Sequence, residues 1–502
     1  MSLSTLHEPP PSEETSPPSD KSKQRFQEIS APTEWIEDYK PRGFHPVHIG
    51  DVLCDSRYKI LRKLGYGSYS TVWLAKDRKS GYVALKILMA NNDVPQNEIA
   101  IYEILSQSPV THPGRAHVMT LRDMFEHRGP NGTHRCLVFD VMGASAETMA
   151  ECLPVSVTRN ERRSPVDRSF PLWMAKTMLR QVLEGIDFLH RNEIAHGDVQ
   201  PGNILFALED LSSVDEGQLV QNMTPRDPKN LWLEAGISEP VQSLDGKADR
   251  SAPKYLAMNQ PLDEYVSLDP RFVVKISDLG AAFPFADPPA EPITPVGLRS
   301  PECICGAQIS PDQDIWSFGC LIYQFLTGYQ LFVICGYDEG EEDEADDEHF
   351  MQFSSVLGPL PPEILSKWSR SHLYYDSEGE QRDTPLIRGE ENEATKVEQL
   401  DVQLEKLKPK HAQVDDKPST EELRESYIMD SEVADQDNGD EADEDPDMLP
   451  LEGMFRRYKC SDIDEDQAVV ITDVIRLILQ YNPKQRPTAS QLLKHPWFAE
   501  SK

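Results

Sequence analysis

His196-Gly197-Asp198-Val199-Gln200-Pro201-Gly202-Asn203 is the stretch on which the reading of this chain turns. It sets a carboxylate and a carboxamide five residues apart on a short loop. The carboxylate can accept a hydroxyl proton, and the carboxamide oxygen can ligand a metal ion. Upstream, from Ala175, apolar residues recur at Met178, Leu179, Val182, Leu183, Ile186 and Leu189. That helical period predicts a long amphipathic helix leading straight into the loop. Downstream, Val273-Val-Lys-Ile-Ser-Asp278-Leu279-Gly280 puts a second carboxylate at the end of a β-branched strand, where glycine permits a sharp turn. Taken singly, each of these is also what a turn or a helix cap looks like.

Further toward the N-terminus, short β-branched runs alternate with glycines: Tyr58-Lys-Ile-Leu, Thr71-Val-Trp-Leu-Ala and Tyr82-Val-Ala-Leu-Lys-Ile. They predict an antiparallel sheet with tight connections. Between its first two strands lies Gly65-Tyr-Gly67-Ser-Tyr-Ser70-Thr-Val72, whose glycines allow backbone N–H groups to approach phosphate oxygens. An ordinary Gly-rich hairpin meets the same description. Val83-Ala84-Leu85-Lys86 comes next, a lysine on an otherwise apolar strand that needs an anion. The helix expected around Asn97–Leu105 offers Glu98, either as a structural ion pair or as part of a phosphate-orienting Lys–Glu pair. A further strand is expected at Cys136–Phe139. The pattern is α+β: a small sheet-rich lobe, then a larger helical one.

The 502 residues carry 50 Lys+Arg against 85 Asp+Glu, a formal charge of −35. So acidic a chain is a poor direct binder of nucleic acid or anionic membrane and suits a basic partner. Hydrophobic residues make up only 38%, and 40 prolines are in excess, so a folded core is diluted by polar segments. The eight cysteines make no C-x-x-C motif. Cys303 and Cys305 lack a second cluster to complete a zinc site, and the apolar settings of Cys136 and Cys320 suit buried thiols in a reducing compartment. From Ile315 to Tyr337 there is no Asp, Glu, Lys, Arg or His, a bilayer-spanning length. Gln324, Thr327, Gly328 and Gln330, with no basic flank, point instead to a buried helix running into a loop.

Residues 1–33 read as a disordered tail and 34–57 as an N-terminal extension, with order beginning near Trp35. Three stretches interrupt the remainder of the chain: 207–270, rich in Pro, Asp and Ser without periodicity, 338–348, and 376–450. Residues 338–348 hold nine acids and 430–447 hold ten with no base; such runs repel themselves and are expected to stay solvated. Leu400-Asp-Val-Gln-Leu-Glu-Lys-Leu is briefly helical in period.

Together these motifs resemble the eukaryotic protein kinases over about residues 57–498. Arg299-Ser-Pro-Glu302, Asp314-Ile-Trp-Ser-Phe-Gly319 and Asn482-Pro-Lys-Gln-Arg486-Pro-Thr continue the match in order. The resemblance implies a bilobal fold over 58–498, with the small lobe at 58–142 and the large lobe at 143–498. It implies ATP and Mg²⁺ as cofactors, with Asn203 and Asp278 as metal ligands and Asp198 orienting and deprotonating the substrate hydroxyl. Lys86 would hold the α/β-phosphates and pair with Glu98. Leu64, Gly65, Gly67, Ser70, Val72 and Ala84 would enclose the nucleotide, with Phe139 behind the adenine and Asp140–Met142 as the hinge. Glu302 and Arg486 would pair beneath the substrate-side loop, and Asp314 would anchor the catalytic loop.

Within the kinases, Gly43-Phe-His-Pro-Val-His-Ile-Gly-Asp51, Ser70-Thr-Val-Trp-Leu, His112-Pro-Gly-Arg and Gly129-Pro-Asn-Gly-Thr-His resemble SR-protein kinases of the fungal type. Arg299 and His349-Phe-Met-Gln-Phe-Ser-Ser-Val-Leu-Gly-Pro-Leu-Pro are similar to the insert-bearing group that includes cyclin-dependent and MAP kinases. The resemblance implies basic Arg/Ser-rich splicing factors as substrates, a monomer, and cytoplasmic and nuclear residence. Acidic inserts would attract such substrates, or be solvated linkers only. The match fails in one place. Gly197 stands where most active kinases have Arg, Gln200 where they have Lys, and Pro295 where a hydroxyl usually meets that Lys, with Thr294 one residue earlier. Losing the Arg predicts activity not switched by phosphorylation of the segment from Asp278 to Glu302. Losing the Lys leaves two readings, a working loop with a different arrangement or an impaired module that binds Arg-rich partners. A kinase for basic serine substrates outside the Arg/Ser class is a separate alternative.

Overall fold

The structure is a computed structural model that describes residues 24–90, 97–153, 168–226, 235–334, 342–376, 378–382 and 449–499. It divides into two compact units, Met1–Ile334 with Phe455–Lys502, and Cys335–Met454.

In the first unit the predicted sheet forms from β1 (Val52–Leu53), β2 (Tyr58–Gly67), β3 (Ser70–Asp77), β4 (Gly81–Leu88), β5 (Leu121–Gly129) and β6 (Gly132–Phe139). The strand order is β1-β2-β3-β4-β6-β5, antiparallel throughout. Register aligns Gly65 with Val72 and Val72 with Lys86, so the glycine turn and the lysine share one row across the sheet. Ala84 pairs in the same way with Phe139. Helix α1 (Asn97–Gln107) packs behind, burying Glu98, Ile101, Tyr102 and Leu105.

The large lobe begins with β7 (Met142–Ser145) and α2 (Ala146–Cys152) and is built on α3 (Leu172–Arg191). All six periodic residues of α3 are buried. The functional loop comes after β8 (Ile194–Ala195), and β9 (Ile204–Ala207) returns to pair with β10 (Val274–Ile276). Beyond β11 (Phe283–Pro284) come α5 (Pro301–Ile304) and α6 (Asp312–Thr327). Fourteen of the sixteen α6 residues are buried, and Gly328 ends the helix at φ +79°, a left-handed stop that suits glycine. Among the described residues no helix is long and apolar enough to cross a membrane. Cys136, Cys303 and Cys320 are buried free thiols.

Three sequence expectations change. Residues 1–23 lie outside the described residues, but order begins by Arg25, earlier than Trp35. Arg25 is bonded to Glu37, and Phe26 is buried with Ile36, Tyr39, Phe44 and Leu256. The 207–270 insert is folded where described: Leu211, Leu219 from α4 (Glu216–Leu219) and Leu262 bury against Leu61 and Leu74 of the sheet. The leucines that it buries against the sheet are spread over separate short turns instead of one face of a helix. They therefore leave no period to read.

The third change is in the second unit. The acidic run from 342 to 348 is not merely solvated, because it belongs to α7 (Glu342–Leu357). Asp347 is 2% exposed. It accepts from Trp368 Nε1 at 2.7 Å and Tyr374 Oη at 3.0 Å and pairs with Arg370 at 2.9 Å, while Arg370 also holds Glu344 at 2.7 Å. Repulsion within the run is offset by partners more than twenty residues later. Residues 338–341, 383–448 and the short helical period from Leu400 lie outside the described residues.

Candidate active site

Lys86 emerges from β4 into a triad. Its Nζ lies 2.8 Å from Glu98 Oε1, 3.0 Å from Glu98 Oε2 and 2.9 Å from Asp278 Oδ1. Burial opposes the ammonium, but the two carboxylates outweigh it and raise the Lys86 pKa. Lys86 in turn holds the Asp278 carboxyl below the usual range, whereas burial lifts that of Glu98. Asp278 has φ +57°, a left-handed conformation that costs a non-glycine residue about 1 kcal/mol or more. Its Oδ1 also accepts from Gly280 N at 3.2 Å, which helps to hold the bend.

The loop after β8 hangs from Asp314, buried at the start of α6. Asp314 accepts from His196 N and Gly197 N at 2.8 Å each, and lies 2.9 Å from His190 Nε2. Burial alone would raise its carboxyl; His190 and the backbone donors bring it below the ordinary value. Asp198 is half-buried. Gln200 Nε2 donates to its two oxygens at 2.7 and 2.8 Å, and Asn203 Nδ2 donates to Oδ2 at 2.7 Å. Burial raises the Asp198 carboxyl despite these donors. Ser277 N and Oγ both donate to Asn203 O, tying the Asp198 loop to the strand that carries Asp278.

The residues expected to enclose a nucleotide converge. Ala84, Phe139 and Met142 are buried in one cluster, against which Leu64 and Val72 pack. Ser70 faces Gly67 across the glycine turn, with Gly65 two positions before it. Asp140, expected at the hinge, directs its side chain to Arg122 at 3.3 Å and Lys275 at 3.9 Å. Leu205 joins the same cluster and is absent from the sequence-based set. The apolar run directly after Asn203 was its signal.

Glu302 and Arg486 form a forked pair at 2.5 and 2.7 Å, and the guanidinium also lies over Trp316. Gln313 is a second residue missed from sequence. It accepts from Ser300 N at 2.9 Å and donates to Leu298 O at 2.8 Å, fixing the segment that ends at Glu302. The only hint was a polar residue beside Asp314 at the mouth of a buried helix.

The departures have a geometric account. Gly197 has φ +76°, and a Cβ there would stand 2.6 Å from Ala281 O, so no side chain fits without moving the backbone. The missing hydroxyl is supplied one residue early but to a different atom: Thr294 Oγ1 donates to Gly197 O at 2.6 Å, not to Gln200.

Asn203 and Asp278 offer hard oxygen donors on two loops tied through Ser277, the chemistry that Mg²⁺ prefers. Among the described residues no group of three or more His, Cys, Asp or Glu could hold a metal by itself. An ion here would complete its shell with water or a bound phosphate.

The protein kinase domain family matches residues 58–218 and 264–498. The chain is 31% identical to a serine/threonine-protein kinase SRPK of Physarum polycephalum, covering 69% of this chain and 77% of that protein. It is 28% identical to protein kinase dsk1 of Schizosaccharomyces pombe, with coverage of 73% and 78%. Human SRSF protein kinase 3 is 24% identical, with coverage of 69% and 80%. A crystal structure of a kinase domain superposes with a TM-score of 0.53 at 18% identity, covering 91% of this chain and 99% of that one, which bears on the fold alone.

Proposed function

The chain belongs to the protein kinase domain family, among the SRPK-like serine/threonine kinases, and on that premise we propose that it transfers the γ-phosphate of ATP to serines in basic, Arg/Ser-rich proteins. The observation that carries this is the joint presence of the Lys86–Glu98–Asp278 triad and the Asp198–Asn203 pair on loops tied through Ser277. Lys86 holds the α/β-phosphates, steadied by Glu98. Leu64, Val72, Ala84, Phe139, Met142 and Leu205 enclose the adenine, and the Gly65–Gly67 turn covers the phosphates. Asn203 and Asp278 would hold Mg²⁺, which when bound would neutralise phosphate charge. Asp198 orients the serine hydroxyl and takes its proton, and its raised carboxyl makes it a better base than an ordinary aspartate.

Activity is independent of phosphorylation between Asp278 and Glu302. Support comes from Thr294, 1% exposed and already bonded to Gly197 O. The charge of −35 supports a cationic substrate, with attraction of roughly 1–4 kcal/mol per close pair and a reach of about 10 Å in salt. On this reading the protein works as a monomer, in cytoplasm and nucleus, on proteins and not on nucleic acid.

The test is incubation of the full chain with labelled ATP, Mg²⁺ and an Arg/Ser peptide, with Asp198→Asn as control. Transfer that the substitution abolishes supports the enzyme. Salt-sensitive peptide binding without transfer would replace it by a binding module, the reading that neutral Gln200 on Asp198 favours. Transfer to other basic serine peptides in preference to Arg/Ser ones would retain the kinase and change its substrate.

A further inference from the structure

Helix α2 packs against the turn at Pro201–Asn203 and brings Glu147 to the edge of the Asp198 loop. A Cβ added at Gly202 would stand 3.3 Å from Glu147 Oε2 and 3.7 Å from Gln200 Oε1, so the two oxygens border one open point. Gln200 commits its Nε2 to Asp198, which turns Oε1 away from the carboxylate and toward that point. An ionised carboxylate and an amide oxygen can only accept hydrogen bonds. Among the described residues no cation reaches either one. Glu151, one helical turn further on, is by contrast paired with Arg168 at 3.4 Å.

Two acceptors on either side of a gap left by a glycine suit a planar fork of donors better than a point charge. We propose that Glu147 Oε2 and Gln200 Oε1 receive the guanidinium of an arginine adjoining the phospho-acceptor serine, which makes Glu147 a specificity-determining residue. The proposal rests on the kinase reading above and narrows it. The gap is one carboxamide's width from Asp198, so the arginine must be close in sequence to the serine that Asp198 receives. The same guanidinium brings positive charge to a loop where Gln200 provides none. The substrate would thus supply part of what the usual lysine supplies.

The test compares full-length wild type and Glu147→Gln on three serine peptides, flanked by arginine, by citrulline and by lysine. Citrulline keeps the shape of arginine and removes the charge. Wild type is expected to prefer arginine to citrulline by roughly tenfold or more in kcat/KM, the scale of one charge-assisted hydrogen bond, and arginine to lysine by less. In Glu147→Gln the arginine preference should fall to about threefold or below, with the KM for ATP within twofold of wild type. An unchanged arginine preference in Glu147→Gln overturns the proposal. So does a KM for ATP that rises while the preference stays, since Glu147 would then serve the ribose hydroxyls. No transfer by wild type to any of the peptides overturns the kinase reading and this proposal with it, whereas transfer with an unaltered preference overturns this proposal alone. Thermal denaturation of Glu147→Gln, expected to match wild type because the side chain is at the surface, separates a specificity effect from loss of fold.

Discussion

Thr294 Oγ1 donates to Gly197 O at 2.6 Å, joining the segment before Glu302 to the loop that carries Asp198 across 97 residues of chain. Thr294 is 1% exposed, and its own carbonyl accepts from Arg299 Nε at 2.9 Å. On the function proposed above, a hydroxyl that already orders this junction needs no phosphate there. Thr294→Val keeps the shape and leaves the Gly197 carbonyl unpaired, which should cost about 1–3 kcal/mol of stability and lower turnover. Chemical denaturation and peptide kinetics measure the two. Mass spectrometry of fully active protein should find Thr294 unmodified, and a requirement for its phosphorylation would contradict this account.

Gln200 reaches Asp198 with a neutral amide where most active kinases present an ammonium. Removing one electrostatic contact of that kind commonly costs about 2.7–4 kcal/mol in the transition state. Gln200→Lys should therefore raise turnover, by roughly tenfold if a third to a half of that cost is recovered. Equal turnover in the two proteins would show that the loop neutralises phosphate charge by another route.

The N-terminal extension reaches the sheet through Glu34, which pairs with the fully buried Lys63 of β2. Tyr39 Oη donates to the same carboxylate, and Lys63 Nζ also donates to Ala257 O at 3.0 Å, in the folded insert. Glu34→Ala strands a buried ammonium and should destabilise the protein by about 3–5 kcal/mol. Glu34→Gln keeps a hydrogen bond and should cost less. Denaturant midpoints that do not move with Glu34→Ala would show that Lys63 finds another partner or water.

Asp198 must be ionised to take a proton, and burial raises its carboxyl above the ordinary 3.8. The acid limb of kcat/KM should therefore fall at a higher pH than an unperturbed aspartate would give, with activity present above that midpoint and lost below it. Gln200→Ala removes a donor that favours the ionised form and should move the limb higher still. A pH–rate profile on both proteins decides it, and a limb at or below the ordinary carboxylate range would exclude Asp198 as the titrating base.

Sequence reading found the parts that are written locally. The period of α3, the β-branched runs, the glycine turn and the order of Lys86, Glu98, Asp198, Asn203 and Asp278 all reflect neighbours within a few residues, where backbone geometry dictates residue type. Asp314 and the Glu302–Arg486 pair were reached through family resemblance, because nothing local tells a buried acid which backbone it will accept from. Leu205 and Gln313 were missed because their roles belong to the surfaces they meet, not to a pattern of their own. The insert, and the end of the tail from Arg25, were read as loose for the same reason.

By itself, then, the sequence determined the class of fold, the chemistry available and the order in which the candidate catalytic groups are presented. Only the tertiary structure decided which atoms use that chemistry on one another. It turned Thr294 onto Gly197, Gln200 onto Asp198 and Glu147 toward the gap at Gly202, and it gave Asp347 the partners that bury an acid inside an acidic run. Hydrogen bonds and ion pairs act over about 3 Å and are indifferent to separation along the chain. A periodicity shows which face of an element turns inward, but the residue that waits there is set by the path of the chain.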